Sequence, residues 1–229
     1  MKTIIKIIAI AIFFLTTGCA ITYVPNTVNT PMFSNKGEIQ ASAYVGSSGF
    51  DPQLAYAVSD HIGIMANGSF ANHKSDSTTD YEKHKFGEIG IGYYTKNGNN
   101  MTIEFFGGFG LGEIKSRSDA WLFTDESDIK SNRFFLQPAV GVSNTNGMFS
   151  FTPRFVVYNA TRNNITYSRS FIEPTITGRV GFNNIMFTGQ LGYSFSLFST
   201  SPTKDDYLLD YNPLIISIGI HLALNRHPE

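Results

Sequence analysis

From residue 37 onward, apolar residues alternate with small or polar residues along most of the chain. A period of two is the pattern of β-strands, because successive side chains of a strand point to opposite faces. No helical pattern of three turns follows residue 20. The alternation predicts ten strands, at approximately 37–46, 52–60, 62–73, 84–95, 101–114, 132–143, 148–159, 170–182, 185–197 and 212–224.

The predicted connections alternate between short and long along the chain. Short connections rich in turn residues lie at 60–61, 95–100, 144–147 and 183–184, and longer ones lie at 47–51, 74–83, 115–131, 160–169 and 198–211. Up-and-down transmembrane β-barrels have this rhythm, with short periplasmic turns and longer outer loops. Because ten is an even number, both termini of the barrel are expected at the end with the short turns.

The two faces of the predicted strands differ in bulk and polarity. One face carries large uncharged side chains such as Phe105, Phe151, Ile176, Leu191 and Ile218, whereas the other carries Gly, Ser, Thr and isolated charges. A sheet surface in water would hold many more Lys and Glu residues, whereas Arg or Lys at the centre of a lipid-facing surface costs about 2–4 kcal/mol. The pattern therefore predicts an up-and-down antiparallel transmembrane β-barrel of about ten strands over residues 37–225, followed by a tail at 226–229.

The predicted inward face contains the candidate site. Its charged and titratable residues are Glu38, Glu88, Glu104, Arg154, Glu173, Arg179 and His221. Opposite charges inside a narrow barrel are expected to pair, because an unpaired buried charge is costly. These residues therefore predict an ion-pair network that plugs the lumen. A gated path for protons or small ions, or a pocket for a polar ligand, is the alternative.

Three prolines fall inside predicted strands. Pro138, Pro153 and Pro174 all lie on the predicted outward face. Each proline removes one donor from the hydrogen-bond ladder, so we expect β-bulges at these positions.

Residues 1–18 have the pattern of a secretory signal peptide. Two lysines precede an apolar run at 7–15 that is too short to cross a bilayer as a helix. The sequence LTTGC at 15–19 resembles the lipobox of bacterial lipoproteins. The resemblance implies cleavage before Cys19 and a lipid anchor on its sulfur, with fatty acids such as palmitate. Ala20, rather than Asp, follows the cysteine, which favours the outer membrane.

Residues 19–36 contain two prolines and several Asn and Thr residues without an apolar period. This composition predicts an extended periplasmic linker between the lipidated Cys19 and the barrel. The lipid is then expected in the inner leaflet, at the short-turn end of the barrel.

Composition narrows the possible functions. The 229 residues include 17 Lys and Arg against 18 Asp and Glu, so no basic excess points to nucleic acid. We find no catalytic constellation, and we expect no cofactor and no metal. One long connection is flanked by residues that can bind metals, namely His73, His84, Asp76, Asp80 and Glu82, but their spacing fits no known metal site.

An apolar loop tip is formed by Trp121, Leu122 and Phe123, which predicts either an interaction site or a cover over the barrel mouth.

Three stretches resemble small outer-membrane β-barrel lipoproteins of Bacteroidota, namely 23–26 (YVPN), 55–67 (AYAVSDHIGIMAN) and 87–94. The resemblance implies a bacterial setting, with outer-membrane lipid and the lipoprotein-sorting and barrel-assembly machinery as partners, and it implies no particular activity. We expect a structural or ligand-recognition role. The alternatives are a narrow passive channel, a periplasm-facing soluble lipocalin-like barrel that carries an apolar ligand, and an outer-membrane hydrolase.

Overall fold

The computed structural model describes residues 23–74, 81–98, 100–120, 123–182, 184–200 and 211–226. The predicted signal peptide and Cys19 lie outside these residues. Eleven strands are present: β1 (Ile39–Gly46), β2 (Gly49–Ala57), β3 (Ile62–Lys74), β4 (Tyr81–Asn97), β5 (Met101–Ala120), β6 (Phe123–Ser143), β7 (Gly147–Arg162), β8 (Ile165–Phe182), β9 (Ile185–Tyr193), β10 (Phe195–Thr200) and β11 (Leu214–Leu224). In the described part of the chain, no helix is long and apolar enough to cross a membrane.

Ten of these strands close into an antiparallel barrel. Consecutive strands pair from β1 to β9, and β11 pairs with both β9 and β1, which closes the ring. The extra strand, β10, continues the path of β9 beyond Ser194 and pairs with the first part of β8. The predicted all-β, antiparallel ten-stranded barrel is confirmed.

The side chains point in the directions that the alternation predicted. Phe105, Phe151, Ile176, Leu191 and Ile218 face outward and are 42% to 73% exposed. Their neighbours along the strands are buried and are mostly polar, as the burial pattern of β7 illustrates. The barrel therefore has an apolar outside and a largely polar inside, the reverse of the arrangement expected in water.

Two predicted loops are instead long hairpins. β5 and β6 stay in unbroken register from Glu113 opposite Lys130 to Ala120 opposite Phe123, so most of the predicted loop 115–131 is strand. Trp121 and Leu122, from the predicted tip, lie outside the described residues, and Phe123 is the first residue of β6. The prediction failed here because these segments are polar on both faces and show no period-two contrast.

The connection predicted at 160–169 is also short. Arg162 pairs with Ile165, and only Asn163 and Asn164 lie between them. Both asparagines have positive φ, 52° and 63°, as a two-residue type I′ hairpin turn requires. We call the end of the barrel formed by this hairpin and the β5–β6 hairpin the hairpin end. The opposite end, where β11 finishes, is the turn end.

The three strand prolines do not produce the expected bulges. The β6–β7 register is the same on both sides of them, with Leu136 opposite Phe155 and Val140 opposite Phe151. Between these pairs the ladder is interrupted for three residues, where Pro138 falls opposite Pro153, and Pro153 in turn pairs with Pro174. Because two residues that lack donors share one position of the ladder, no extra residue is needed to accommodate them.

Residues 23–36, which we call the internal segment, run inside the barrel and leave it at the turn end, where Lys36 is exposed. The segment residues Asn26, Thr27, Val28, Asn29 and Thr30 are all buried. The segment is therefore not an exposed, extended linker, and the rest of the predicted linker, 19–22, lies outside the described residues. Its Asn and Thr side chains suit a polar lumen as well as they suit water, so composition alone does not distinguish the two locations.

The internal segment runs along the lumen from one end to the other. Tyr23 forms a parallel bridge with Tyr211, which precedes β11 at the hairpin end. Phe33 packs against Tyr94 near the turn end, with ring centroids 5.2 Å apart. Both termini of the barrel itself, the start of β1 and the end of β11, lie at the turn end, as the strand count predicted, whereas the described chain starts at the hairpin end. It then passes down the lumen and enters β1 at the turn end.

Candidate functional site in the barrel lumen

Four charged side chains meet in the lumen. We call Glu88, Arg133, Arg154 and Glu173 the charge cluster; each is 1% exposed or less at its side chain. They come from β4, β6, β7 and β8, and Arg154 lies directly opposite Glu173 in the ladder. The two positive and two negative charges balance, which lowers the cost of burying them.

A glycine of β5 separates Glu88 of β4 from Arg133 of β6. Gly110 of β5 lies between Glu88 and Arg133 in the register of the sheet. A Cβ atom at Gly110 would overlap the Phe86 ring and would lie 2.9 Å from the Cβ of Glu88. The absence of a side chain at this position therefore leaves room for the Phe86 ring, on which the guanidinium of Arg133 stacks.

Both ion pairs of the cluster are close and hydrogen-bonded. Arg133 Nε donates to Glu88 Oε2 at 3.0 Å, and Arg133 Nη2 is bound to the same oxygen. Arg154 Nε donates to Glu173 Oε2 at 2.8 Å, and Arg154 Nη2 lies 2.6 Å from that atom. Arg154 Nη1 is also 3.7 Å from Glu88 Oε1, which joins the two pairs. The guanidinium of Arg133 stacks on Phe86, 4.0 Å from the ring centroid.

The charge cluster binds the start of the internal segment. The hydroxyl of Tyr23 donates to Glu173 Oε1 at 2.5 Å, and the amide of Asn26 donates to Glu88 Oε1 at 3.2 Å. Arg154 donates to the backbone carbonyl of Asn26 at 3.1 Å, and Arg133 is bound to the side-chain oxygen of Asn26. Each member of the cluster therefore contacts the segment as well as its own partner.

Side-chain amides of the barrel hold the middle of the segment. Gln190 accepts from the Val28 N–H at 2.9 Å and donates to the Val28 carbonyl at 2.5 Å. Gln53 donates to the carbonyl of Thr27 at 2.8 Å, and Gln137 donates to that of Asn29 at 2.6 Å. A buried backbone needs partners for its polar groups, and here glutamines supply the bonds that a neighbouring strand would otherwise make.

The remaining predicted lumen residues lie nearer the turn end and do not join the charge cluster. Three of them bind backbone atoms of the internal segment and the fourth binds a serine: Glu104 accepts from Phe33 N at 3.0 Å, Arg179 donates to Thr30 O at 2.8 Å, Glu38 accepts from Ser34 N at 2.7 Å, and His221 Nδ1 lies 2.8 Å from Ser42 Oγ. Burial raises the pKa of the Glu38 carboxyl, and its hydrogen bond from Ser34 acts in the opposite direction. The structure therefore brings together only Glu88, Arg154 and Glu173 of the seven predicted residues.

Arg133 is the member of the cluster that the sequence reasoning missed. It lies in the predicted strand 132–143, two residues before Phe135 and four before Gln137, so it shares their inward face. That alternation was a sufficient signal, because an arginine on an inward face needs an acidic partner.

The lumen around the cluster is filled. A cavity lined by Tyr23, His84, Arg133 and Tyr158 has a volume of about 10 Å³, which is room for about one water molecule. His84 is buried there and bonded to Ser69 at 2.9 Å. Within the described ranges, no group of three or more His, Cys, Asp or Glu residues could hold a metal ion. The arrangement is suited to holding the internal segment in place.

Comparison with protein-family models, curated proteins and solved structures found no match for this chain. The resemblance to Bacteroidota barrel lipoproteins therefore stays a prediction, and function has to be argued from the barrel itself.

Proposed function

We propose that this protein is a lipid-anchored β-barrel of the bacterial outer membrane, with a structural or surface-recognition role and a lumen closed by its own internal segment. The observation that carries the proposal is an apolar belt on the outside of the ring. Every strand of the ring contributes at least one exposed apolar side chain to this belt, for example Val45, Leu54, Ile64, Ile89, Phe105, Leu136, Phe149, Ile176, Leu191 and Ile218.

The dimensions of the belt suit a bilayer. Outward positions carry no charge from Ile103 to Leu111 in β5, from Phe149 to Val157 in β7 and from Leu214 to Leu224 in β11. At about 3.3 Å per residue, the last of these ranges is about 33 Å long. With the tilt of about 40° typical of membrane barrels, it spans about 25 Å, the usual height of their apolar band.

The interior argues against the two alternative barrels. A soluble carrier of an apolar ligand needs an apolar cavity, whereas the buried residues here include Arg133, Arg154, Glu88 and Glu173. A passive channel needs an open lumen, whereas the internal segment occupies it. A closed, membrane-embedded barrel fits both observations.

The direction of the internal segment bears on the lipid anchor. Cys19 precedes Tyr23 by four residues, which span at most about 14 Å, and Tyr23 lies at the hairpin end. In membrane barrels the longer extensions face outward from the cell, and here the β5–β6 and β7–β8 hairpins extend beyond the apolar belt at the hairpin end. The acyl chains of Cys19 would then enter the outer leaflet, opposite to the inner-leaflet position that a periplasmic linker would give.

The membrane location is tested by removing the anchor. The Cys19→Ala protein is expected to stay in the membrane fraction, to need detergent for extraction and to migrate faster on a gel when it is not boiled. The apolar belt, not the lipid, would hold it in the bilayer. Fractionation of cells that express the variant and the parent chain measures this. A variant that is soluble without detergent would contradict the transmembrane barrel and favour a tethered soluble one.

The orientation is tested by labelling intact cells with a membrane-impermeant maleimide. Ile165→Cys, beside the turn at the hairpin end, is expected to react on intact cells. Lys36→Cys, exposed at the turn end, is expected to react only after the outer membrane is permeabilised. The parent chain controls for Cys19, whose acylated sulfur should not react. Labelling of Lys36→Cys alone on intact cells would reverse the proposed orientation.

A further inference from the structure

A groove lies on the outside of the barrel, at the border of the apolar belt nearest the hairpin end. Phe70, Gly87 and Leu111 form its apolar part, and Lys85 and Lys130 are at its polar edge. The groove has a volume of about 570 Å³. Phe70, Lys85, Glu113 and Lys130 occupy one row across four neighbouring strands, because each pairs with the next in the register.

Gly87 creates the apolar part of the groove. A Cβ atom at Gly87 would meet only the backbone oxygen of Asn67, at 3.9 Å, so the space above this glycine is open. Phe70 and Leu111 on the two adjoining strands are 46% and 60% exposed. The floor is therefore a backbone surface with an apolar side chain on each side, a shape that suits an acyl chain.

The polar edge of the groove is positively charged. Lys83, Lys85, Lys115 and Lys130 lie with Glu113 and Asp128 on adjoining outward positions of β4, β5 and β6, which gives a net charge of +2 from four positive and two negative groups. Lys115 pairs with both carboxylates, at 3.1 Å to Glu113 and 3.6 Å to Asp128. Lys85 and Lys130 are exposed and have no ion-pair partner among the described residues.

Among the described residues, this charge is not repeated on the neighbouring strands β7 and β8. The outward positions beyond the belt on β7 and β8 are uncharged: Asn159, Thr161, Ser168 and Ser170. Lysines that merely mark the border with the headgroups would be expected all around the ring. Their concentration beside the groove at Gly87 is the observation that points to a ligand there.

We propose that the groove binds an anionic lipid of the surrounding leaflet. One acyl chain lies over Gly87 between Phe70 and Leu111, and the anionic headgroup lies between Lys85 and Lys130. Glu113, in the same row, is held by Lys115 and so is drawn away from the headgroup. The inference rests on the proposed function, because the groove meets lipid only if the barrel is embedded in a membrane.

Native mass spectrometry of the full chain in detergent tests the site. The probes are dimyristoyl phosphatidylglycerol and dimyristoyl phosphatidylcholine, which share acyl chains and differ in charge. The wild type is expected to retain the anionic lipid preferentially. Lys85→Gln and Lys130→Gln are each expected to lower this preference about fivefold, equivalent to about 1 kcal/mol per lysine. Gly87→Leu fills the groove and is expected to weaken retention of both lipids.

A matched pair of substitutions controls for loss of charge alone. Lys36→Gln with Lys96→Gln removes two positive charges near the turn end and is expected to leave the preference unchanged. The inference is overturned if the wild type retains both lipids equally, if the control pair loses as much as Lys85→Gln combined with Lys130→Gln, or if Gly87→Leu binds both lipids normally. If the protein shows one of these outcomes but still needs detergent to stay in solution, only the lipid site is refuted. A chain that is soluble without detergent would refute the proposed function as well.

Discussion

Replacing Arg154 by Met is expected to lower the free energy of unfolding by about 3–5 kcal/mol, the usual cost of breaking a buried ion pair from one side. Arg154 lies 2.6 Å from Glu173 and 3.7 Å from Glu88 and donates to the backbone of Asn26. Its removal leaves two buried carboxylates with Arg133 as the one guanidinium of the cluster, and it also releases the internal segment. Urea unfolding of the barrel in lipid vesicles, followed by the gel shift of unboiled samples, measures the change.

Two further variants distinguish the effect of an unbalanced buried charge from the effect of lost side-chain packing. Arg154→Met combined with Glu173→Gln restores a neutral cluster, since Arg133 and Glu88 remain paired, and the glutamine oxygen can still accept from Tyr23. We expect the double variant to be more stable than Arg154→Met alone. Lys36→Met, at an exposed position of the same chain, should change stability by less than about 0.5 kcal/mol. A single Arg154→Met variant as stable as Lys36→Met would show that the cluster does not hold the barrel together.

The barrel itself was predictable because each strand of the ring has one bulky face and one small or polar face. In β7, for example, Phe149, Phe151 and Phe155 alternate with Ser150, Thr152 and Arg154. Because side chains alternate between the two faces of a strand, the three phenylalanines must share one face and the polar residues the other. The same alternation ends at Ile114 in β5 and resumes near Asn132 in β6. Between those points both faces are polar, so the β5–β6 hairpin offered no contrast between its faces from which it could be predicted.

The internal segment could not be predicted for a different reason. Its partners are distant in the sequence: Val28 binds Gln190, 162 residues away, and Tyr23 binds Glu173, 150 residues away. Local pattern shows only that the segment is polar and lacks a period. Its location depends on the amides and charges that eight strands, β2 to β9, present to the lumen, and those are known only once the barrel is closed. The barrel residues of the candidate site could therefore be predicted from the sequence, but the internal segment that they bind could not.

A barrel that lacks residues 23–33 is expected to conduct ions, whereas the full chain is not. The segment runs through the lumen between Tyr23 and Phe33, so its deletion leaves a water-filled path of at least the width of one extended chain. The charge cluster would then be hydrated, and its pairs would line the path. Planar-bilayer recordings of the two proteins, both in the Cys19→Ala background so that the anchor does not differ, measure the effect.

Three further measurements make the conductance result interpretable. The gel shift of unboiled samples identifies deletion protein that has folded, and only such protein is recorded. If the deleted protein does not fold, the double variant Asn26→Ala with Asn29→Ala in the intact chain takes its place. This variant removes the side-chain hydrogen bonds of the segment to Glu88 and Asn67. The segment is then bound less tightly, and the channel should open briefly. A synthetic peptide of residues 23–36 should reduce the current of the deletion barrel, because the glutamines and charges that bind the segment remain in place. A folded deletion barrel that carries no current would mean that side chains alone close the lumen, and that the segment has a role other than plugging it.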